Sequence, residues 1–474
     1  MAFCHRLQFQ MFRQWFRRSV AVDSARRIAV IGGGIAGLSA AWELRKAGAE
    51  VVLFEADSRP GGWIHTTERE GFLLEWGPHS VLPSSPELIR LASESGLGDQ
   101  WESADRKARR RWVYRAGRPR ALPSSPLTIP FSTALSPLGW LRVLSEPFRT
   151  AGGSEEESVQ EFFRRRLGQE ASEILADAMV AGISGGVPED LEMASFAPAV
   201  LKMEQEKGSL FRGLISKSSP EGVPFRGTGT LRSGMQSLPN ALAKGLAESY
   251  QGSVTVTDLY LENERWNLRL EGPYQGDTSG FDGVILAVPA SVSAKLLRPD
   301  NIRLSRLLGS ISYASMVLVQ IAYDASKCSL KPDGFGFLVP RQQSLEILGA
   351  IWSSSVFPWR TPAGRDLATV FMGGTRDPEL GSQTDSEILH RALGDMTKVH
   401  GEGFSADWCE VGRAPAAIPQ AQRGHGRKVK ALRYESSLLP GLELAGGYLD
   451  GISLENCARS GSEAAARVLR DTIR

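Results

Sequence analysis

A glycine-rich turn between two apolar segments constrains the fold of this chain more than any other feature. Residues 28–31 form a short apolar run, which is typical of a buried parallel strand. Gly32, Gly34 and Gly37 follow at G-x-G-x-x-G spacing, then a helical segment, then a second apolar run at residues 51–54. This order of strand, turn, helix and strand predicts a dinucleotide-binding unit.

Each glycine of the turn has its own physical role. Gly32 allows the tight turn, Gly34 lets the backbone approach a pyrophosphate, and Gly37 lets helix and strand pack closely. The helix N-terminus offers free N–H groups and a partial positive charge to the phosphates. Glu55 ends the second strand, about twenty residues past the turn, where a carboxylate can accept hydrogen bonds from ribose hydroxyls. The alternative is an αβ unit whose glycines serve packing only.

Two downstream segments separate FAD from other dinucleotides. Glu55 and the run Arg59-Pro60-Gly61-Gly62 complete an E-x-x-x-R-x-G-G pattern. This pattern resembles the second dinucleotide motif of the flavin-dependent amine-oxidase superfamily. Residues 71–78 resemble the G-F-x-x-E-x-G-P segment of the same superfamily. A plain NAD-binding domain needs neither segment, so the resemblance implies FAD as the cofactor.

Composition excludes several other classes of protein. The chain has 474 residues, which predicts two or three lobes, and its net charge of +2 gives no sign of nucleic-acid binding. The four cysteines are scattered and the six histidines form no cluster, so we expect neither a disulfide scaffold nor a metal site. No apolar run approaches the roughly twenty residues of a membrane-spanning helix.

Two segments indicate contact with a membrane surface. Residues 1–26 form a basic extension in which arginines alternate with aromatic side chains. It fits a membrane-surface segment, a mitochondrial presequence, an ill-ordered leader or translated upstream sequence from a misassigned start, and the sequence leaves all four open. Residues 119–147 are rich in proline, serine and large apolar side chains, which predicts a lobe with an exposed apolar face. A helix is predicted at 159–180, capped by Ser158 and broken at 182–188.

More specific segments extend the resemblance over nearly the whole chain from residue 28 to residue 473. With the motifs above, the chain resembles the oxygen-dependent protoporphyrinogen oxidase family, which includes bacterial coproporphyrinogen III oxidases. The segments that carry this resemblance are residues 158–168, 182–186, 208–210, 234–239 and 334–340.

The resemblance implies an α/β fold of three parts: an FAD-binding Rossmann-like domain, a mixed-sheet substrate domain and a helical membrane-associating lobe. The FAD-binding domain would be discontinuous. The expected boundaries are 1–26 for the extension; 27–91, 225–293 and 438–474 for the FAD-binding domain; 92–115, 205–224 and 294–437 for the substrate-binding domain; and 116–204 for the lobe.

The same resemblance implies which residues contact FAD. The N-terminus of the last helix would lie near the isoalloxazine, where it favours the negative charge of a reduced flavin. The expected cofactor-binding residues are Gly32, Gly33, Gly34, Ile35, Ala36, Gly37, Glu55, Ala56, Arg59, Gly62, Trp63, Gly77, Pro78, His79, Ser80, Val256, Gly447, Ile452, Ser453 and Leu454.

On the substrate side, Arg111 matches the family's arginine that pairs with a porphyrinogen propionate. A guanidinium suits a carboxylate because its fork can bind two oxygens. The neighbouring Arg109 and Arg110 remain alternatives for this role. The resemblance further implies an apolar pair that sandwiches the macrocycle, an aromatic residue below it and a backbone contact, which are Phe335, Leu338, Phe371 and Gly182.

The implied reaction is FAD-dependent oxidation of protoporphyrinogen IX to the porphyrin in haem biosynthesis, with oxygen as acceptor and hydrogen peroxide as by-product. A hydride would leave a bridge carbon for flavin N5 in each of three rounds. No His, Asp or Glu motif indicates a general base, so we expect that no general base is essential and name no catalytic residue. The expected partners are the porphyrinogen, oxygen, a membrane surface, a second copy of the chain and a ferrochelatase that receives the product. The expected location is the cytoplasm or the cytoplasmic face of a membrane, with the mitochondrial inner membrane as alternative.

Three other functions stay open at this point. Coproporphyrinogen III carries four propionates, and the basic cluster at residues 106–111 favours it mildly. Another flavin amine oxidase or desaturase would share the FAD motifs but not the more specific segments. A non-enzymatic protein of this fold could bind porphyrin as a carrier.

Overall fold

The computed structural model describes residues 26–154, 156–215, 222–273, 275–297 and 301–471. The predicted basic extension therefore lies outside the described residues, apart from residue 26. In the described part the chain forms an α/β fold with two main sheets, so the predicted fold class is confirmed.

The first main sheet is parallel and is assembled from distant segments of the chain. Every neighbouring pair of its strands is parallel, and most of its residues are buried. Such strands are covered on both faces, which explains why their sequences are continuously apolar. In spatial order the strands are Leu442–Leu444, Gly283–Leu286, Arg27–Ile31, Glu50–Phe54 and Tyr250–Gln251.

Alternate residues of this sheet enter two different cores. Ile28 and Val30 pack in a core with the helices Ile35–Lys46 and Leu454–Asp471. Ala29 and its alternate neighbours face a second core. That core is shared with a three-stranded antiparallel sheet of Thr255–Glu262, Arg265–Glu271 and Gly276–Phe281.

The second main sheet is mixed. Its neighbouring strands are antiparallel, except that Gly336–Leu338 runs parallel to Trp112–Arg115. In spatial order its strands are Ala406–Pro419, Tyr313–Tyr323, Asp366–Gly373, Gly349–Trp352, Gly336–Leu338, Trp112–Arg115 and Arg118–Ala121. The last strand lies inside the segment predicted as the lobe, and the domain boundaries themselves stay a prediction.

The segment between residues 126 and 215 is helical, and one prediction about it was wrong. The expected helix at 159–180 is interrupted at Gly168, whose φ of +95° breaks the helical path. The chain then stays helical until Ser184, and the helix ends at Gly185, inside the predicted break at 182–188. The predicted cap is confirmed, because Ser158 and Glu161 form a reciprocal capping box. The helices are Pro126–Phe131, Pro137–Leu144, Glu146–Phe148, Val159–Leu167, Gln169–Ala171, a π-turn at Ser172–Ala176, Asp177–Ser184, Met193–Phe196, Pro198–Lys207 and Leu210–Ile215.

The remaining elements connect these parts. Two short antiparallel strand pairs are separate from the main sheets. Thr66–Arg69 and Phe72–Glu75 form a hairpin, and Trp101–Ser103 pairs with the distant strand Gly229–Leu231. The other α-helices are Pro86–Glu94, Ser237–Leu246, Ala290–Leu297, Ile302–Gly309, Ser353–Val356, Asp385–His400, His425–Ser437 and Gly447–Asp450. The other 3₁₀ turns are Arg106–Arg109, Ala247–Ser249, Ala325–Lys327, Pro358–Arg360, Gly374–Arg376 and Leu380–Ser382.

None of the described helices combines the length and the apolar composition that crossing a bilayer requires. Within the same residues, no three His, Cys, Asp or Glu side chains are placed to hold a metal ion.

Candidate active site

The glycine turn leaves one open position on an otherwise crowded backbone. Gly32 has a φ of +105°, and a Cβ built there would lie 2.6 Å from the Ala287 carbonyl oxygen. A Cβ on Gly37 would lie 1.8 Å from the Gly32 oxygen, so helix and strand touch through the backbone. Beside Gly34, in contrast, a Cβ would meet nothing within 4 Å. The turn therefore has a free cradle where the motif expects a pyrophosphate.

Glu55 closes the far side of this cradle. Its Oε2 accepts a hydrogen bond from the Gly33 N–H at 2.5 Å, and its Oε1 accepts one from the Asp57 N–H at 2.7 Å. Both carboxylate oxygens keep further lone pairs, so they can also accept from ribose hydroxyls. Val254 donates to the Glu55 carbonyl at 2.8 Å, which brings the strand that carries the buried Val256 to the same edge.

The second motif packs directly against the glycine turn. Gly61 donates to the Gly33 carbonyl at 2.8 Å. The Arg59 guanidinium donates to the carbonyls of Gly62 at 2.8 Å and Ile64 at 3.0 Å. Arg59 thus fixes the shape of this loop, and whether it also touches the cofactor stays a prediction. Trp63 at the loop's end is 42% exposed.

The segment 77–80 passes next to this loop. A Cβ on Gly77 would lie 1.8 Å from the Trp63 carbonyl oxygen, so only glycine allows the approach. Trp76 also donates to the His65 carbonyl at 2.8 Å. The two predicted FAD-binding segments are therefore held in direct contact, although they are separated by a hairpin in the sequence.

The C-terminal helix completes the arrangement. A Cβ on Gly461 would lie 1.9 Å from the Ala36 carbonyl oxygen, so the helices Leu454–Asp471 and Ile35–Lys46 cross in backbone contact. Gly447 lies beside Ile452 at the start of the last helix, with its built Cβ 3.4 Å from the Ile452 Cα. The structure thus brings the glycine turn, Glu55, the loop after Arg59, Gly77 and the last helix into mutual contact, and the open cradle and polar donors fit FAD. Which of the predicted residues contact the cofactor stays a prediction.

Arg111 stands out among the basic residues of its segment. Its Cζ lies 4.3 Å from the centre of the Phe335 ring, and desolvation lowers the pKa of its guanidinium. Within the described ranges, no hydrogen-bond or ion-pair partner of this guanidinium is present. Arg110, in contrast, forms an ion pair with Asp333. Arg111 is therefore a cation that lies over an aromatic ring and, within the described residues, lacks an anionic partner.

The predicted apolar residues line one row across the mixed sheet. Leu338 pairs with Gly349, and Gly349 pairs with Phe371, so the side chains of Leu338 and Phe371 point to the same face. A Cβ on Gly349 would lie 3.1 Å from Cδ2 of Leu338, so the Leu338 side chain packs over this glycine. Gly182 faces this row from the helix Asp177–Ser184, since its built Cβ would lie 2.4 Å from Cδ2 of Leu338.

His79 joins the predicted cofactor segment to this row. Its ring centre lies 5.7 Å from that of Phe371. Burial, and next the charge of Arg360, lower the pKa of His79 to about 3, so the ring is neutral at physiological pH. Its Nδ1 faces the Gly77 carbonyl at 3.0 Å, which can only accept, so the proton sits on Nδ1. Nε2 lies 3.1 Å from the Thr369 hydroxyl oxygen, and that hydroxyl donates its proton to Gln320 Oε1 at 2.8 Å.

Sequence reasoning missed a buried ion pair behind His79. Arg360 Nη2 donates to Glu75 Oε1 at 2.8 Å and to Thr230 Oγ1 at 2.7 Å, and both charged side chains are 1% exposed. The Glu75 carboxylate also accepts from the Met235 N–H at 3.0 Å. Glu75 lies in the G-F-x-x-E-x-G-P segment, but nothing in the sequence near Arg360 indicates its partner.

Comparison with known proteins shows which family this chain resembles over its length. Residues 35–469 match the family described as flavin containing amine oxidoreductase. Protoporphyrinogen oxidase 2, chloroplastic/mitochondrial, of Arabidopsis thaliana is 29% identical over 485 residues, which cover 94% of either chain. The protoporphyrinogen oxidase of Bos taurus is 31% identical over 479 residues, which cover 94% of this chain and 98% of the other. A solved structure from Exiguobacterium sp. 255-15 has a TM-score of 0.80 at 24% identity and covers 94% of this chain and 99% of that one.

These similarities extend over nearly all of the chain rather than over the dinucleotide motif alone. The protein is an oxidoreductase, and FAD is its cofactor. The chain therefore belongs to the flavin-containing amine oxidoreductase family and, within it, to the group that includes the protoporphyrinogen oxidases.

Proposed function

We propose that this protein oxidises protoporphyrinogen IX to the porphyrin, with molecular oxygen as the terminal acceptor and hydrogen peroxide as the by-product. The observation that carries the proposal is the unpaired Arg111 guanidinium, stacked on Phe335 beside an apolar row. A porphyrinogen is a largely apolar macrocycle with propionate substituents, so it needs both features. The names of the relatives point to the same substrate.

The chain's own residues would bind and orient the macrocycle. Arg111 would pair with one propionate through its planar fork. Leu338 and Phe371, which are half-buried and point to the same face of the sheet, would contact the macrocycle. The close packing of Gly182 on Leu338 would exclude water from this part of the pocket.

Bound FAD supplies hydride acceptance and reaction with oxygen, which side chains cannot provide. The conversion removes six hydrogen atoms from one porphyrinogen in three two-electron rounds, and three oxygen molecules leave as hydrogen peroxide. Burial lowers the pKa of His79 to about 3, so the ring is neutral at working pH and is a poor proton acceptor. The pyrrole N–H protons would leave to water, without an essential general base.

A fluorescence assay in air tests this function. Purified protein is given protoporphyrinogen IX or coproporphyrinogen III, and porphyrin fluorescence is followed together with hydrogen peroxide. We expect a flavin-dependent rise with protoporphyrinogen IX. If neither substrate is oxidised faster than in buffer alone, while FAD is bound, the proposed reaction is rejected.

A matched pair of variants tests the role of Arg111. Arg111→Met should raise KM for the porphyrinogen by about tenfold or more, because a charge-assisted contact contributes roughly 1.5–3 kcal/mol. Arg110→Met removes a neighbouring cation that already has a partner in Asp333, so its KM should stay close to that of the wild type. Equal effects of the two changes would contradict the assignment.

Coproporphyrinogen III is the second candidate substrate. It carries four propionates, and several further basic residues surround Arg111 at residues 106–110. The rates with the two substrates in the same assay decide between them. A kcat/KM that is higher for coproporphyrinogen III would make it the physiological substrate.

We further propose that the helical segment rests on a membrane surface. Large apolar side chains are strongly exposed in one stretch of chain, and singly exposed apolar residues would not cluster in this way. They are Leu127 at 84%, Phe131 at 86%, Leu138 at 77%, Leu141 at 64% and Phe148 at 87% exposure. The mitochondrial inner membrane is one candidate location, since some relatives are named as mitochondrial.

Sedimentation with vesicles of anionic phospholipid tests this surface. Phe131→Ser combined with Phe148→Ser should shift the protein from the pellet to the supernatant. Ile302→Ser is a suitable control, because Ile302 is 60% exposed but lies outside the segment. If the wild type itself stays in the supernatant at low salt, the membrane proposal is wrong.

A further inference from the structure

One carboxylate meets all three elements that carry the proposed pocket wall. Asp177 is 1% exposed and opens the helix Asp177–Ser184, which carries Gly182. Its Oδ2 accepts from the Arg341 backbone N–H at 2.8 Å, just beyond the strand with Leu338. The same oxygen accepts from Nη2 of Arg376 at 2.7 Å, in the turn that follows the strand with Phe371.

The two arginines tighten these connections. Nη1 of Arg376 donates to the Val339 carbonyl at 2.9 Å, so its guanidinium joins two of the elements itself. Nε of Arg341 lies 3.2 Å from the Asp177 Oδ1, and its Nη2 pairs with Glu189. The carboxylate and both guanidinium groups therefore form one network at the edge of the row.

The other end of the helix is held by the same turn. Thr375, next to Arg376, donates its N–H to the Gly185 carbonyl at 2.7 Å and its hydroxyl to the same oxygen at 3.1 Å. A Cβ on Gly374 would lie 2.3 Å from this oxygen, so the turn and the helix end are in backbone contact. The helix cannot shift along its axis without breaking contacts at both ends.

A π-turn sets the direction of the Asp177 side chain. The turn at Ser172–Ala176 inserts an extra residue into the helical path immediately before Asp177. Without that insertion, the residues after it would be rotated by about one position, roughly 100°, around the helix axis. The deviation from α-helical geometry therefore coincides with the point where the carboxylate must face the sheet.

We propose that Asp177, together with Arg376 and Arg341, is a positioning cluster that sets the separation of Gly182, Leu338 and Phe371 and thereby the affinity for the macrocycle. The inference rests on the proposed function, because it assigns the pocket wall to the porphyrinogen. Asp177 acts through these neighbours and not by touching the substrate.

Asp395 provides a matched control for this cluster. It is also a buried aspartate, 2% exposed, in the helix Asp385–His400, and it accepts backbone N–H groups from Glu346 at 2.6 Å and Ile347 at 3.2 Å. It pairs with Lys398 at 2.9 Å. Its contacts do not involve the residues of the pocket wall, so Asp395→Asn reports the general effect of losing a buried carboxylate.

The experiment compares Asp177→Asn, Arg376→Lys and Asp395→Asn as FAD-loaded proteins. We expect Asp177→Asn to raise KM for protoporphyrinogen IX about tenfold, with kcat within about twofold of the wild type. Arg376→Lys keeps the positive charge but cannot donate to both the Asp177 carboxylate and the Val339 carbonyl as the guanidinium does. Its KM should therefore rise by less than that of Asp177→Asn. Asp395→Asn should leave KM unchanged, even where its melting temperature falls as much as that of Asp177→Asn. Equal KM changes at Asp177 and Asp395 would overturn the inference.

Two further measurements separate this inference from the proposed reaction. Titration with the porphyrin product, followed by quenching of its fluorescence, should show the same loss of affinity in Asp177→Asn without turnover. Hydrogen exchange should rise together in residues 177–184, 339–341 and 374–376 of that variant and not in Asp395→Asn. If the wild type oxidises no porphyrinogen but exchange rises in this pattern, the proposed reaction fails and the cluster stands. If hydrogen exchange rises only in residues 177–184, the proposed positioning role of the cluster is refuted. If Asp177→Asn does not fold, the same measurements are made on Arg376→Lys.

Discussion

Removing Arg360 should destabilise the protein more than any surface substitution, and the structure sets the size of this effect. The Arg360 and Glu75 side chains are 1% exposed, so Arg360→Met leaves a buried carboxylate without its cation. Breaking one partner of a buried pair in this way costs about 3–5 kcal/mol in free energy of unfolding. The Thr230 hydroxyl also loses the donor that it accepts from at 2.7 Å.

The loss of unfolding free energy caused by Arg360→Met should be larger at high pH than at low pH. Burial raises the pKa of Glu75, and the charge of Arg360 opposes that rise, so the pKa rises further in Arg360→Met. A carboxyl whose folded pKa is raised favours folding while it is protonated and loses that advantage as pH rises through the folded pKa. Unfolding by urea should therefore show a larger penalty at pH 8 than at pH 5.

Two comparison variants make the test specific. Arg365→Met removes a cation whose ion pair with Asp407 is largely solvated, so it should change the free energy of unfolding by less than about 1 kcal/mol. Adding Glu75→Gln to Arg360→Met removes the stranded charge and should restore most of the loss at pH 8. If Arg360→Met destabilises no more than Arg365→Met, or if the second change restores nothing, the reasoning is refuted.

Three other predictions concern single residues. His79 has a folded pKa of about 3 against an ordinary 6.5, so the free energy of unfolding should fall by up to about 1.4 kcal/mol per pH unit below pH 6.5. Urea titrations of His79→Gln between pH 5 and 8 should lack this component, and an unchanged slope would contradict it. Gly34→Val should lower FAD retention on gel filtration, because the added side chain would occupy the open space beside Gly34 where the pyrophosphate is expected. The stability of the apoprotein should not fall, since no protein atom outside the adjacent residues lies within 4 Å of the new Cβ. Gly394→Ala, at an exposed glycine, is the control and should retain FAD. Gly182→Ala should raise KM, because the new methyl displaces Leu338 Cδ2, and Leu338→Val in the same chain should lower KM again.

The parts of the fold that the sequence predicts best are those whose local pattern matches their final surroundings. The runs at 28–31 and 51–54 correspond to the strands Arg27–Ile31 and Glu50–Phe54, because strands covered on both faces must be apolar throughout. The strand Ala406–Pro419 went unrecognised. It lies at the edge of its sheet, is mostly half-exposed and includes prolines, so it lacks the apolar alternation of a central strand.

The same distinction holds in the candidate site. Motif spacing identified Gly32, Gly37 and Gly77, since these glycine positions mark backbone approaches that only glycine permits. The partners of buried charges could not be predicted, because Glu75 and Arg360 are separated by 285 residues and Asp177 and Arg376 by 199. A pair formed by tertiary folding leaves no local periodicity or spacing that marks either partner.

These two unpredicted pairs share a position that bears on function. The Glu75–Arg360 pair connects the predicted FAD-binding segment at 71–78 to the turn at Pro358–Arg360. The Asp177 network lies at the ends of the three elements that form the proposed pocket wall. A buried ion pair adds little net stability compared with apolar side chains of the same volume, but it penalises every arrangement that separates its partners. Apolar contacts between the cofactor segments and the mixed sheet tolerate small shifts, whereas bonds of 2.7–2.8 Å to a fixed carboxylate do not. On this argument, the charges at the junctions fix the relative placement of cofactor and substrate walls, and substitutions there should alter substrate affinity before they abolish folding.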